Sequence, residues 1–137
     1  MDRIIHDHQI RVRYKETDKM GVVYNGNYFT YFEIGRTELM RTAGYPYIRF
    51  EEGGYYLPLI ESHAEYIKTA HYDDILTIRS SIKPVLSARV RFDYEVYRDD
   101  ELLTRGYTGH CFMDIATMKA TRPPKSFVDF IKEVSKK

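Results

Sequence analysis

Hydrophobic and polar positions first alternate near the start of the chain. Across residues 8–14, Ile10, Val12 and Tyr14 interleave with Gln9, Arg11 and Arg13. A period of two belongs to a strand with one wet and one dry face, so residues 8–14 form the first expected strand. The segment "KETDKMGVVYNG" breaks this pattern with Gly21 and Gly26 flanking a short apolar run, and Asn25 or Asn27 can cap a helix after it. From there the period lengthens. Tyr28, Phe32, Leu39 and Ala43 fall at near-helical spacing with Gly35 on the same side, while Glu33, Arg36, Glu38 and Arg41 supply polar positions. This spacing predicts a helix over residues 27–42, stopped by Gly44. A glycine inside a helix costs about 1 kcal/mol relative to alanine, so Gly35 is expected where another backbone comes close.

An aromatic stretch, "YPYIRFEEGGYYLP", is expected to hold a short second helix. Period two then returns over residues 57–68, 75–83, 89–98 and 102–114. The cleanest of these sets Val90, Phe92, Tyr94 and Val96 against Arg89, Arg91, Asp93 and Glu95. "TRPPK" ends the run, and Phe127, Phe130, Ile131 and Val134 mark a short amphipathic helix. One early strand, one long helix and consecutive antiparallel strands make an α+β order, in which a curved sheet of about five strands can wrap the helix. The chain shows no linker or internal repeat, so a single domain over residues 1–137 is expected.

The formal net charge is +1 with acids and bases intermixed, which leaves no basic stripe for nucleic acid. No apolar run approaches the roughly 20 residues of a membrane span, and "MDRIIHDHQIRVRY" lacks the apolar region of a signal peptide. A single cysteine, Cys111, cannot form an internal disulfide, so a cytoplasmic location is expected. Thirteen tyrosines and seven phenylalanines favour interfaces with one wet and one dry side, which makes a homo-oligomer plausible.

The chain has no G-x-S-x-G elbow, no phosphate-binding G-x-x-x-x-G-K-[ST] loop and no H-E-x-x-H pair, which excludes three large hydrolase classes. His6 and His8 have no metal-ligand spacing, so no metal is expected, and Cys111 reads as a buried, inert thiol. Asp18 is the candidate for chemistry, because it lies in a loop before a helix start. Free amides there can hold an oxyanion, while a carboxylate attacks a carbonyl or activates water. An aspartate in such a place is more often a turn former or cap, and spacing alone leaves both readings open.

The stretch "TDKMGVVYNGNYFTYFEIGRTELMR" resembles the signature of the 4-hydroxybenzoyl-CoA thioesterase-like, or YbgC-like, hotdog family. It has an Asp, a two-residue spacer, Gly-Val-Val-Tyr, an Asn-Tyr pair and Arg-Thr-Glu-Leu at the family's spacing. "EEGGYYLPLIESHAEYIKTAHYDD" and "LLTRGYTGHCFMD" resemble later segments of the same family, so the resemblance spans nearly the whole chain. It implies a hotdog fold, with a long central helix wrapped by a curved antiparallel sheet. It also implies two such units joined edge to edge, as a homodimer or homotetramer, with coenzyme A across the interface. The implied activity is hydrolysis of a small or medium acyl-CoA, aromatic or aliphatic, with no cofactor beyond the coenzyme A of the substrate itself. Acyl-carrier protein is an alternative carrier of the acyl group.

By the same matching, Asp18 corresponds to the catalytic aspartate, as nucleophile or general base, and the amides near Tyr24 and Asn25 would polarise the thioester carbonyl. Met20, Gly21, Val22, Val23 and Phe29 are candidate acyl contacts. Lys68, Arg89, Arg91, Lys119 and Arg122 are candidate phosphate partners, for which Arg and Lys chemistry is suited, with a solvated surface charge as the plainer role of each. Glu33 is a second candidate acid, whose plainer role is pairing with Arg36 or Thr37. His63 and His110 are secondary candidates with packing as the plainer role. Many members of the family carry His where this chain has Asn25, which cannot exchange protons near neutrality. Asn25 is therefore expected to orient a water, bind the carbonyl or cap the helix. The rival readings are a hydratase-dehydratase of the same fold, which needs a positioned His, and a non-catalytic acyl-CoA-binding protein.

Overall fold

The computed structural model describes residues 3–84 and 87–135. The first strand, β1 (Ile4–Arg11), alternates half-buried and exposed positions along its length. It begins and ends earlier than the pattern of residues 8–14 predicts. Val12 remains buried, but the chain then winds into a 3₁₀ turn, Tyr14–Glu16, and Tyr14 points outward, 79% exposed. The cause is local: the Glu16 carboxylate accepts the Arg13 backbone N–H at 2.9 Å and Arg13 Nε at 3.0 Å, which pulls the strand end into a turn.

Helix α1 (Asn27–Ala43) forms because its buried positions recur every three or four residues: Tyr28, Tyr31, Phe32, Gly35, Leu39 and Met40. It stops at Gly44, whose φ of 103° lets its N–H reach the Met40 and Arg41 carbonyls, each at 3.2 Å. A side chain there would be strained, so glycine is the natural stop. Neither asparagine caps the helix start. Gly26 holds the cap position without a side-chain bond, and Asn27 Nδ2 instead donates to the Glu16 carbonyl at 2.7 Å.

After α2 (Ile48–Glu52) come β2 (Tyr55–Tyr56), β3 (Leu59–Tyr66), β4 (Ile75–Ile82), β5 (Arg89–Arg98), β6 (Glu101–Asp114), β7 (Lys119–Thr121) and α3 (Lys125–Val134). All pairs are antiparallel. The main sheet runs β1-β4-β5-β6-β3, and the far end of β6 also pairs β2 and β7. Among the described residues the sheet therefore has seven strands where about five are expected. β2 and β7, of two and three residues, are too short to display a period.

The sheet closes on α1 most tightly at β1 and β4. A methyl group at Gly35 would collide with the Ser80 hydroxyl and Ile78 on β4, the close approach its place in a helix predicts. Phe32 lies flat on Tyr94 of β5, with ring centroids 4.4 Å apart. At the other end of α1, Tyr45, Phe50, Phe112 and Phe127 form an aromatic cluster that seats α2 and α3, with Tyr45 and Phe50 centroids 4.8 Å apart. Among the described residues β3 is bonded on its β6 side only, and Leu59, Ile60 and Tyr66 along it are exposed.

Candidate active site

The loop between β1 and α1 is a small hairpin pinned at several points. Thr17 bridges Val23, Asp18 N–H donates to the Val22 carbonyl at 2.9 Å, and Gly21 N–H donates back to the Asp18 carbonyl at 3.0 Å. Gly21 has a φ of 79°, which the tight return requires. Val23 N–H donates to the Ala70 carbonyl at 2.9 Å and so docks the hairpin beside the end of β3. The exposed Asp18 carboxylate accepts the Met20 N–H through Oδ1 at 2.8 Å, which fixes its direction. Its Oδ2 accepts nothing from the described residues.

Beneath the hairpin lies Glu16, a buried acid that the sequence does not distinguish from a surface residue. Its Oε1 accepts the Arg13 backbone N–H and the Tyr31 hydroxyl, the latter at 3.0 Å. Burial pushes the Glu16 carboxyl up, but the hydrogen bonds from Arg13 and Tyr31 outweigh it and hold the group below the ordinary carboxylate range. The same burial, with the Glu16 charge beside it, raises Tyr31, which stays protonated as the donor. The Glu16 carbonyl accepts the Tyr24 N–H at 2.9 Å and Asn27 Nδ2 at 2.7 Å, so one residue ties the hairpin to the start of α1.

This arrangement corrects one expectation. The Tyr24 amide is committed to Glu16 and has no N–H to offer a substrate. The Asn25 amide, next in the chain, has no acceptor among the described residues. It stands at the positive end of α1, where an N–H can meet a developing negative charge.

A cavity of about 370 Å³ opens between the hairpin and the end of β3. Asp18, Val22, Val23, Tyr24, Asn25 and Lys68 line it together. Tyr28, Tyr66, Ile67 and Thr69 complete the walls. The Tyr66 hydroxyl donates to the Asn25 carbonyl at 3.2 Å, and its ring leans on Tyr28 with centroids 5.6 Å apart. Lys68, at the rim, is paired with Glu101 at 2.6 Å. Tyr66 and Lys68 share a parity on the strand pattern of residues 57–68, the signal that links the tyrosine to the site.

The other expected contacts lie elsewhere. Met20 projects into solvent, 83% exposed, and Gly21 serves the turn, so neither lines the cavity. Phe29 and Glu33 face a separate hollow further along α1. His63 is on the outer face of the sheet, stacked on Tyr107 at 5.2 Å. Arg89 and Arg91 are also on that face, because alternation along β5 points Val90 and Phe92 at the helix and their neighbours away from it. Arg91 is held by Asp93 at 2.9 Å and lies over the Tyr107 ring. His110 is buried, bonded to Thr108 Oγ1 at 3.0 Å, and burial followed by the nearby Arg36 charge pushes it down to about 4.

A sheet clasped around one central helix is the mark of hotdog-fold proteins, and this chain is one of them. It belongs to the thioesterase-like superfamily, whose family model matches residues 12–131. The acyl-CoA thioesterase YbgC of Haemophilus influenzae is 29% identical over 117 residues, spanning 85% of this chain and 86% of that one. The DHNA-CoA thioesterase from Staphylococcus aureus superposes with a TM-score of 0.87 at 31% identity, covering 96% of this chain and 89% of its own. A hypothetical protein from Thermus thermophilus superposes equally well, at 0.87 and 30% identity, over 95% of this chain and 97% of that one.

Proposed function

We propose that this protein hydrolyses acyl-CoA thioesters to the free acid and coenzyme A, with Asp18 as nucleophile or general base. The observation that carries the reading is one juxtaposition: a carboxylate with a free Oδ2 and an unpaired Asn25 N–H line the same cavity at the start of α1. The N–H polarises the thioester carbonyl and stabilises the oxyanion as it forms. Either Asp18 removes a proton from the attacking water, or it attacks the carbon itself to give an acyl-aspartyl anhydride that water then cleaves to the free acid; in both routes coenzyme A leaves as the thiolate. Supporting relatives include the thioesterases of Haemophilus influenzae and Staphylococcus aureus, similar to this chain over most of its length.

No histidine lines the cavity, which disfavours the hydratase reading, since that chemistry calls for a positioned His. Lys68, a cation at the rim of the cavity, can exchange Glu101 for a phosphate of coenzyme A. The free edge of β3, with its exposed Leu59, Ile60 and Tyr66, supports an edge-to-edge homodimer. The cavity reaches the end of that strand, so the partner subunit would close it.

Release of free thiol from a panel of acyl-CoAs and an acyl-carrier protein thioester, followed with a chromogenic thiol reagent, tests the reading. Steady release from at least one coenzyme A thioester is expected. Absence of turnover across the panel, with tight acyl-CoA binding, would leave a binding protein in its place.

A further inference from the structure

Further along α1 from the Asp18 cavity lie two more hollows. Helix α1 and strand β3 run in opposite directions, so Tyr28 meets Tyr66 at one end. Further along, a hollow of about 220 Å³ is walled by Phe29, Thr30 and Glu33 across from Leu59 and Ser62. Beyond it a hollow of about 250 Å³ is formed by Tyr47, Phe50, Tyr55 and Leu57. Glu33 and Arg36 belong to both hollows, which makes them successive parts of one groove.

Arg36 is the unusual group in it. The side chain is 12% exposed, and the Tyr47 and Tyr94 hydroxyls are the polar groups that face its guanidinium. Its sole ion contact among the described residues is Glu33 at 3.9 Å, and that carboxylate is itself 66% exposed and well solvated. Nε of Arg36 and the Tyr47 hydroxyl are both fully enclosed in this hollow, and neither makes a hydrogen bond of ordinary geometry to a described residue. A buried guanidinium with unsatisfied donors is costly, as is a buried hydroxyl without a partner. Both costs vanish if an oxygen acceptor enters the hollow. The guanidinium fork matches a carboxylate or a hydroxyl, and Tyr47 adds a further donor. A hydroxyl can in turn donate to Glu33.

Resting on the reading of this chain as an acyl-CoA hydrolase, we infer that the Arg36 and Tyr47 hollow receives the far end of the acyl group. The preferred substrates are then thioesters of acids bearing a distal oxygen, as a second carboxylate or a hydroxyl. Asn25 and Arg36 are about 16 Å apart along the helix axis, and long helical side chains lean toward the N-terminus, which shortens the gap to a medium acyl chain. Phe50, Tyr55 and Leu57 supply the apolar walls for such a chain.

The test compares hexanoyl-, ω-hydroxyhexanoyl- and adipyl-CoA, and the matching octanoyl series with suberyl-CoA, in the parent, Tyr47→Phe and Arg36→Met proteins. The hydroxyl arm and the carboxylate arm tell which oxygen is recognised. At one of the two lengths, an oxygenated thioester is expected to exceed its plain counterpart in kcat/KM by at least about tenfold. That ratio is expected to fall toward one in both variants. Tyr47→Phe removes only a hydroxyl that makes no hydrogen bond of ordinary geometry, so it is expected to keep the fold even if Arg36→Met does not. Calorimetric binding of the same acyl groups as non-hydrolysable coenzyme A thioethers is measured alongside. Absence of thiol release would sink the hydrolase reading, while the calorimetry would still decide the acyl preference. A parent protein that binds plain and oxygenated thioethers alike, or a preference that survives unchanged in folded Tyr47→Phe, would overturn the inference.

Discussion

Replacing Asp18 with Asn separates the two roles this residue can play. The amide oxygen of Asn can accept the Met20 N–H that Asp18 Oδ1 accepts at 2.8 Å, so the hairpin keeps its turn. Asp18 is exposed and makes no other side-chain bond, so the stability change is expected to stay within about 0.5 kcal/mol, or about 2 °C in melting temperature. Chemistry is affected differently, because an amide neither takes the water proton nor attacks the carbonyl. A general base contributes about 10²- to 10⁴-fold, so kcat for the best acyl-CoA is expected to drop by that factor or more. Some activity should persist. The Asn25 N–H remains, and a single oxyanion donor is itself worth about 10²- to 10³-fold. Thiol release at saturating substrate measures kcat, and a thermal melt run in parallel reports the fold. Turnover within about threefold of the parent, with unchanged melting, would refute the assignment, since a true base costs far more.

Three further outcomes follow from the structure. Gly106→Ala is expected to destabilise the protein by about 2 kcal/mol or more, because the added methyl would strike the His63 carbonyl and would lie 2.9 and 3.0 Å from two carbons of the Phe32 ring. An unchanged urea midpoint would show that β6 yields more readily than its central place allows. His110 titrates at about 4 in the fold but near 6.5 when unfolded, so between these values the unfolded chain binds more protons. Stability from this group is therefore full above about pH 6.5 and is lost as pH falls toward 4, and His110→Gln should flatten the melting temperature across that window. Light scattering after size exclusion is expected to give a dimer or a larger even assembly, and a monomer with full activity would remove the shared edge from the site.

Much of the fold is legible because its elements carry clean periods. Residues 89–98 alternate without interruption, and β5 occupies the same span. The long helix is equally readable, ending within a residue of the predicted stop. What the periods do not reveal is what lies on the second face of an element. Arg36 falls on the polar side of α1, which normally means solvent, but α2 and the loop after it cover that side and leave the guanidinium enclosed. Arg89 and Arg91 have the parity their alternation implies, and that parity directs them away from the helix and the cavity. Glu16 is invisible in the sequence, because its burial depends on Arg13 and Tyr31 meeting it in three dimensions. Asp18 stands out through the spacing of its neighbours, not through any chemical singularity of its own.

The bonds of the Asp18 hairpin also set how the chain can change length. Donation from Tyr24 to Glu16, from Asp18 to Val22 and from Val23 to Ala70 forms a closed ladder in which each rung depends on the residue count between its ends. One residue inserted between Asp18 and Asn25 would slip the ladder, break at least one rung and carry the carboxylate away from the amide. The interval from aspartate to asparagine is thus a fixed measure, in which a deletion or insertion is harder to accommodate than many substitutions.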